Sequence, residues 1–303
     1  MASALVRELI DCGVHFGHRA GRWNPKMAPY IFGTRNSIHI IDIRETVKGL
    51  LRAKKFISAI VAQGHEVLIV GTKRQAGEIV EKQAKRVGMP HVKERWLGGT
   101  LTNFKTIRLR LARLEEIEEL ERSGRINDFS KKMKSTIDRE RRKITRNLEG
   151  IRTMTRLPGA LVIVDVHREQ NAVKEARKLG IPTICLVDTD SDPDSADLVI
   201  PCNDDAMRSI ELVVRLLADA IEEGKKGRVA KAKADADQSG GESERPRRTR
   251  RPTTSELAER ESTPPREETV GQPDTHADAV VKTAERAPDS VPTAPPTEVP
   301  DSV

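Results

Sequence analysis

Along residues 1–224 short apolar runs alternate with longer stretches in which apolar positions recur every three or four residues. The runs "SIHIID" (37–42), "EVLIVGT" (66–72), "ALVIVDV" (160–166), "TICLVDT" (183–189) and "DLVIP" (197–201) predict strands. Between them lie helical stripes. Val47, Leu50, Leu51, Ile57, Ile60 and Val61 share one face. Ala76, Ile79, Val80, Ala84 and Val87 share a second, stopped by Gly88 and Pro90. Ala172, Val173, Ala176 and Leu179 form a third that ends at Gly180, and Met207, Ile210, Val214, Leu217 and Ile221 a fourth. Strands that are apolar throughout, alternating with amphipathic helices, predict an α/β domain whose parallel sheet is covered on both faces.

One stretch breaks this rhythm. From 104 to 151 no strand pattern occurs. Ile107, Leu111, Leu114, Ile117 and Leu120 form one narrow stripe, and Met133, Ile137, Ile144, Leu148 and Ile151 form another, with a turn near "SGRINDFS" between them. Spacings of three and four suit two helices packed as a coiled-coil-like hairpin, an arm inserted into the α/β domain. The domain is then discontinuous, 1–103 with 152–224. From Lys225 to the end there is no aromatic residue, and 10 of the 17 prolines fall there. Such a segment buries too little apolar surface to offset the entropy of ordering, which predicts a disordered tail over 225–303.

Charge sharpens the division. The formal net charge is +7, but residues 1–156 carry +16 and residues 157–224 carry −8, the tail being close to neutral. A basic first half favours a polyanionic partner. Three cysteines, Cys12, Cys185 and Cys202, are far apart with no C-x-x-C pair. They argue against a disulfide framework or a zinc ribbon and fit a reducing, cytoplasmic setting. Neither a secretory leader nor an apolar run of membrane-spanning length is present.

Several motifs carry candidate chemistry. "GTKRQAG" (71–77) joins a strand to a helix with Lys73 and Arg74, but it lacks the glycines of a phosphate loop. It reads as an ordinary turn whose helix start can still take an RNA phosphate. "DTDSDPDSADLV" sets Asp188, Asp190, Asp192 and Asp194 at alternate positions, yet Pro193 and Val199 stand where a calcium loop needs Gly and Glu. With Asp204 and Asp205 these acids lie at the carboxyl ends of strands, where a Zn or Mg ion held by carboxylates and a histidine is one reading and turn chemistry the other. The stretch 13–39 holds four of the eight aromatics, Phe16, Trp23, Tyr30 and Phe32, among His15, His18, Arg19, Arg22, Lys26 and Arg35. Trp23 with its basic neighbours reads as an RNA-contacting surface, whereas Phe16 and Phe32 read as cover for a sheet edge. The basic run 245–252 reads as a solvated linker, with contact to nucleic acid as the alternative. No nucleophile–base constellation occurs.

Taken in order, "GVHFGHRAGRWNPKMAPYIFGTRNSIHIIDI", "VLIVGTKRQA", "RWLGGTLTNFKTI", "LPGALVIVDV", "EARKLGIPTICLVDTDSDPD" and "DLVIPCNDDAMRSIELV" resemble the bacterial small-subunit ribosomal protein S2 family across about residues 4–224. The resemblance implies a three-layer α/β/α flavodoxin-like fold with an inserted helical hairpin. It implies a structural component bound to ribosomal RNA between head and body of the small subunit. It also implies contacts with neighbouring ribosomal proteins, help in recruiting ribosomal protein S1, and neither membrane nor DNA as partner. No cofactor is required, although a structural Zn or Mg ion near the sheet's carboxyl edge is compatible with the family and would use Asp188 and Asp205; to these the residue pattern adds His15, three positions from His18, a spacing that suits a metal or two structural histidines. On this reading Trp96 and Leu97 anchor the root of the arm, Gly98 and Gly99 turn the chain out of the sheet, and Thr102 or Asn103 caps the first arm helix.

The leading expectation is therefore a non-catalytic RNA-binding protein. Its contacts are expected from Arg19, Arg22, Trp23, Lys26 and Arg35, from Lys73 and Arg74, from Arg95 and Lys105, and along the arm from Arg108, Arg110, Lys131, Lys132, Lys134, Arg141, Arg142 and Arg146. The rival is an α/β enzyme that uses Asp165, Asp188 and Asp205 with Mg²⁺ in phosphoryl chemistry.

Overall fold

The computed structural model describes residues 2–240. In chain order the elements are α1 (Ala2–Asp11), β1 (Phe16–Arg19), β2 (Ile31–Arg35), β3 (Ile38–Ile41), α2 (Ile43–Ala62), β4 (Val67–Val70), α3 (Arg74–Val87), β5 (His91–Val92), α4 (Phe104–Arg122), α5 (Lys131–Leu148), β6 (Ala160–Val164), α6 (Gln170–Leu179), β7 (Thr183–Val187), β8 (Leu198–Pro201) and α7 (Met207–Gly240).

Five strands form a parallel sheet in the order β5-β4-β6-β7-β8. Counted within that sheet the order is 2-1-3-4-5, consistent with a flavodoxin-like doubly wound fold. Because successive side chains of a strand point to opposite faces, each apolar run feeds two cores. Val67, Ile69, Val162, Val164, Ile184 and Leu186 meet α2, α3 and α7. Leu68, Val70, Leu161, Ile163, Cys185 and Val187 face Trp96, α4, α5 and α6 instead. Gly88 and Gly180, both left-handed, close α3 and α6 where the sequence predicts.

A second sheet, antiparallel β1-β3-β2, was not legible beyond β3. Its strands have four or five residues and are interrupted by Gly17 and Gly33, so alternation is too short to read. Asn36 and Ser37, with φ of 50° and 61°, make the two-residue turn between β2 and β3, the left-handed geometry that suits a tight hairpin.

Some expected core positions are not buried. Leu51 is 55% exposed, and Leu179, Met207 and Met133 are also exposed. Phe16 and Phe32 do not cover the sheet edge as expected, and Phe32 is 77% exposed. Helices α4 and α5 pack through Ile107, Leu111 and Leu114 against Ile144 and Leu148. Arg141 with Glu121 and Arg113 with Glu140 tie their flanks. Helix α7 runs on to Gly240, past Lys225, where the sequence reading starts the tail. The remainder of the predicted tail, with the basic run 245–252, lies outside the described residues. No described helix is long and apolar enough to cross a membrane.

Candidate functional site

The carboxyl ends of the parallel strands converge, as the fold requires, on one polar edge. β4 delivers Thr72 and Lys73, β6 delivers Asp165, β7 delivers Asp188 and Thr189, and β8 delivers Asp204 and Asp205. β1 lies over this edge and adds His18, whose backbone N–H donates to Thr189 Oγ1 at 2.8 Å. Gly17 makes that approach possible. A Cβ there would lie 2.6 Å from Thr189 Cγ2 and 3.2 Å from Asp188 Oδ1. Gly17→Ala is therefore expected to lower stability by about 1–3 kcal/mol through overpacking. A lower thermal midpoint would show this, and an unchanged melt would mean that β1 can move away freely.

His18 and Lys73 divide the acidic edge between them. His18 Nδ1 lies 3.1 Å from Asp188 Oδ2, and Nε2 lies 3.3 Å from Asp205 Oδ2. Pairing with Asp188 raises the His18 pKa to about 9, against the opposing effect of burial. Lys73 Nζ lies 2.7 Å from Asp204, 2.6 Å from Asp205 and 3.5 Å from Asp165. Burial works against its charge, but these carboxylates outweigh burial and raise its pKa. Asp204 is buried, which, with the charges on Asp165 and Asp188, pushes its pKa up to about 7 despite Lys73.

The expected metal set of His15, Asp188 and Asp205 does not assemble. His15 packs on Phe16 with ring centroids 4.1 Å apart. Burial lowers its pKa. Asp205 is half-exposed and faces Lys73 and His18. The residues whose donor atoms do converge, within 4.8 Å of one another, are His18, Asp188 and Asp204. His18 Nδ1 is buried and near Asp188, yet not aligned with a hydrogen-bond partner. One imidazole nitrogen with two carboxylate oxygens suits a small divalent ion of the zinc type. An ion held there would tie β1 to the sheet edge. Of the calcium-like spacing, Asp192 and Asp194 turn away to hold Lys26 at 3.0 and 2.8 Å. Asp165, Asp188 and Asp205 do not form the open metal site that phosphoryl transfer needs, because the Lys73 ammonium lies between Asp165 and Asp205.

The basic residues expected to meet RNA fall into two groups. Arg19, Arg22, Arg35, Arg74, Arg95, Lys105, Lys131 and Lys132 are exposed. Exposed Trp23 packs on His39 at 5.1 Å between ring centroids. The others have protein partners. Lys73 is the clearest departure, being locked in the acidic network described above. Arg108 donates to the Met154 carbonyl, and Lys134 donates to Asn127. Arg110 lies 4.0 Å from Glu140. Arg141 meets Asp138 and Glu121, Arg142 meets Asp138, and Arg146 meets Glu94. Helix spacing brings acids and bases together on α4 and α5, which a count of basic residues overlooks.

Trp96 is buried, as expected of an anchor, at 6% exposure. Its partner was not foreseen. Glu175 of α6 accepts from Trp96 Nε1 at 3.0 Å and from the Gly99 N–H at 2.8 Å through Oε1. Its Oε2 accepts from the N–H groups of Leu101 and Thr102 at 3.0 and 3.1 Å, and from the Thr102 hydroxyl at 3.1 Å. Burial disfavours the charge, but these five donors prevail and lower the Glu175 pKa. Gly99, at φ 89°, needs the left-handed region, whereas Gly98 has open space around it and no such need. Asn103 is the cap of α4 by position, but its side chain accepts from the Thr106 hydroxyl rather than from a backbone N–H.

Comparison with known proteins adds a family. The model of "Ribosomal protein S2" matches residues 9–224. The chain is 63% identical over 225 residues to the small ribosomal subunit protein uS2 of Rhodopirellula baltica, an alignment covering 74% of this chain and 86% of that one. It is 52% identical over 223 residues to uS2 of Roseiflexus sp., covering 74% and 85%. With uS2c of Rhodomonas salina it shares 48% over 235 residues, covering 78% and 97%.

Proposed function

The chain belongs to the ribosomal protein S2 family, and on that premise we propose that it binds ribosomal RNA between the head and body of the small subunit. Membership makes it a structural, non-enzymatic constituent of that subunit. The finer reading adds a cytoplasmic, ribosome-bound location and a division of labour between faces. In this reading α4 and α5 form a hairpin arm that carries exposed basic residues to RNA beyond the reach of the sheet domain. Supporting it is the +16 charge of residues 1–156, with Lys105, Lys131 and Lys132 exposed on the two helices. Phosphate contacts of this kind release counterions, and each steepens the salt dependence by about 0.9. A chain lacking 105–149 is therefore expected to leave the small subunit at lower salt than full-length protein during sedimentation through sucrose. Full-length protein that stays at the top of the gradient at every salt concentration would overturn the RNA reading.

A protein partner has its own surface. Val6, Ile10, Phe32, Ile40, Ile43 and Val47 line an apolar groove of about 670 Å³. Exposed apolar surface of this kind marks an interaction site. We assign it to a neighbouring small-subunit protein, with S1 as the candidate. Phe32→Asp is expected to weaken binding of purified S1 by about tenfold or more while leaving the unfolding midpoint unchanged. Undiminished S1 affinity would move the docking surface to the acidic segment 157–224.

A further inference from the structure

We infer that the cleft between the start of α6, the last turns of α5 and the loop after β5 is a binding site for the phosphate of a nucleotide. The cleft measures about 730 Å³, within the range of small-ligand sites. It opens beside the carboxyl ends of β4 and β6, the pair of strands at which the order of the sheet reverses. That is where doubly wound sheets form their ligand crevice.

Its walls carry more positive than negative charge. Arg95, Arg142, Lys143, Arg146 and Arg168 line it against Glu94 and Glu169. Two of the cations are already engaged, Arg146 by Glu94 and Arg142 by Asp138. Among the described residues Arg95 and Lys143 have no recorded carboxylate partner, and both are exposed.

Arg168 is held ready. Its Nε donates to Thr72 Oγ1 at 3.1 Å. The Thr72 hydroxyl in turn donates to Glu169, which is 3% exposed. Burial pushes the Glu169 pKa up, against the hydrogen bond from Thr72. The Asp165 carboxylate accepts from the Arg168 N–H at 3.0 Å and fixes the backbone at the same point. With Nε occupied, the two terminal nitrogens of Arg168 remain for an outside ligand. A planar fork of this sort matches phosphate oxygens. Thr72 and Glu169 are thus positioning residues that order the guanidinium before a ligand arrives.

The geometry asks for a phosphate, which a strand of RNA or a free nucleotide supplies equally well. The inference rests on the RNA-binding reading only for the first of these sources. The test is calorimetric titration of the full-length chain with inorganic phosphate, with ATP and with a short single-stranded RNA. It is run on wild type, Arg168→Ala, Thr72→Val and, as a control outside the cleft, Arg7→Ala. Arg168→Ala is expected to weaken binding by about tenfold or more, Thr72→Val by less, and Arg7→Ala not at all. Loss of ATP and phosphate binding in Arg168→Ala identifies a free nucleotide as the ligand. Binding and loss seen with RNA alone identify a strand. No saturable binding of any probe up to about 1 mM, or affinities that Arg168→Ala changes no more than Arg7→Ala does, would overturn the inference. Co-sedimentation of wild-type chain with small subunits is scored separately, so failure of the ribosomal RNA reading leaves a free-nucleotide result standing.

Discussion

Glu175→Gln is expected to lower stability by about 3 kcal/mol, among the largest losses available from a single near-isosteric change. Both carboxylate oxygens are fully used as acceptors, one by Trp96 Nε1 and Gly99, the other by Leu101 and by Thr102 twice. An amide keeps one oxygen but turns an NH₂ towards donors on the other side. At least two of the donors, which are part-buried at Trp96, Gly99 and Leu101, then lose their acceptor. The loop that carries Trp96 into the second core is loosened with them. Urea unfolding monitored by tryptophan fluorescence reads the loss, and a change under about 1 kcal/mol would show that water replaces the carboxylate. The pH dependence follows the same contact. The folded-state pKa of Glu175 lies below its unfolded value of about 4.3. Its contribution is therefore complete above that unfolded value and is lost as pH falls through the folded one. Glu175→Gln should flatten this part of the acid-unfolding curve.

Lys73→Met is expected to cost a similar amount, about 3 kcal/mol, for a different reason. Three carboxylates, Asp165, Asp204 and Asp205, share one ammonium. Removing it leaves Asp204 buried beside Asp165 and Asp188 with no cation, so folding must either bury an uncompensated charge or take up a proton, the situation in which half of a buried ion network is worse than none. Chemical unfolding checks the magnitude. Crucially, the loss is expected with purified protein and no RNA present. A variant that folds as well as wild type but binds RNA poorly would return Lys73 to the role its sequence context suggested.

Those two residues also mark the limit of what the sequence made legible. Four of the five parallel strands, β4, β6, β7 and β8, could be read because burial on both faces leaves unbroken runs such as "VLIV" and "ALVIV", and α3 and α6 because glycines stop them; β5, only His91–Val92, is too short to leave a pattern. Glu175 could not. It is one glutamate in "QNAVKEARKL", and nothing local ties it to a loop more than seventy positions earlier in the chain. Lys73 looked like a phosphate ligand because sign of charge can be read from a sequence and burial of charge cannot. His15 was chosen over His18 for a related reason. The two lie three positions apart, and the choice depends on how β1 runs over the sheet edge and on the absence of a Cβ at Gly17. Phe32 was taken for cover of the sheet edge because a large apolar side chain is usually buried, while the tertiary arrangement leaves it in an open groove.

The sheet order has a consequence for how the chain comes into being. β4 must pair with β6, Val67 opposite Ala160, so roughly ninety residues separate the first central strand from the neighbour that completes its ladder. During synthesis α4 and α5, whose contacts are local, can form soon after they emerge. β4 and its apolar faces wait until β6 leaves the exit tunnel. A nascent chain that has emerged only as far as residues 150–160 would therefore display finished helices beside half a sheet with an open, hydrophobic edge, the kind of intermediate on which chaperones act.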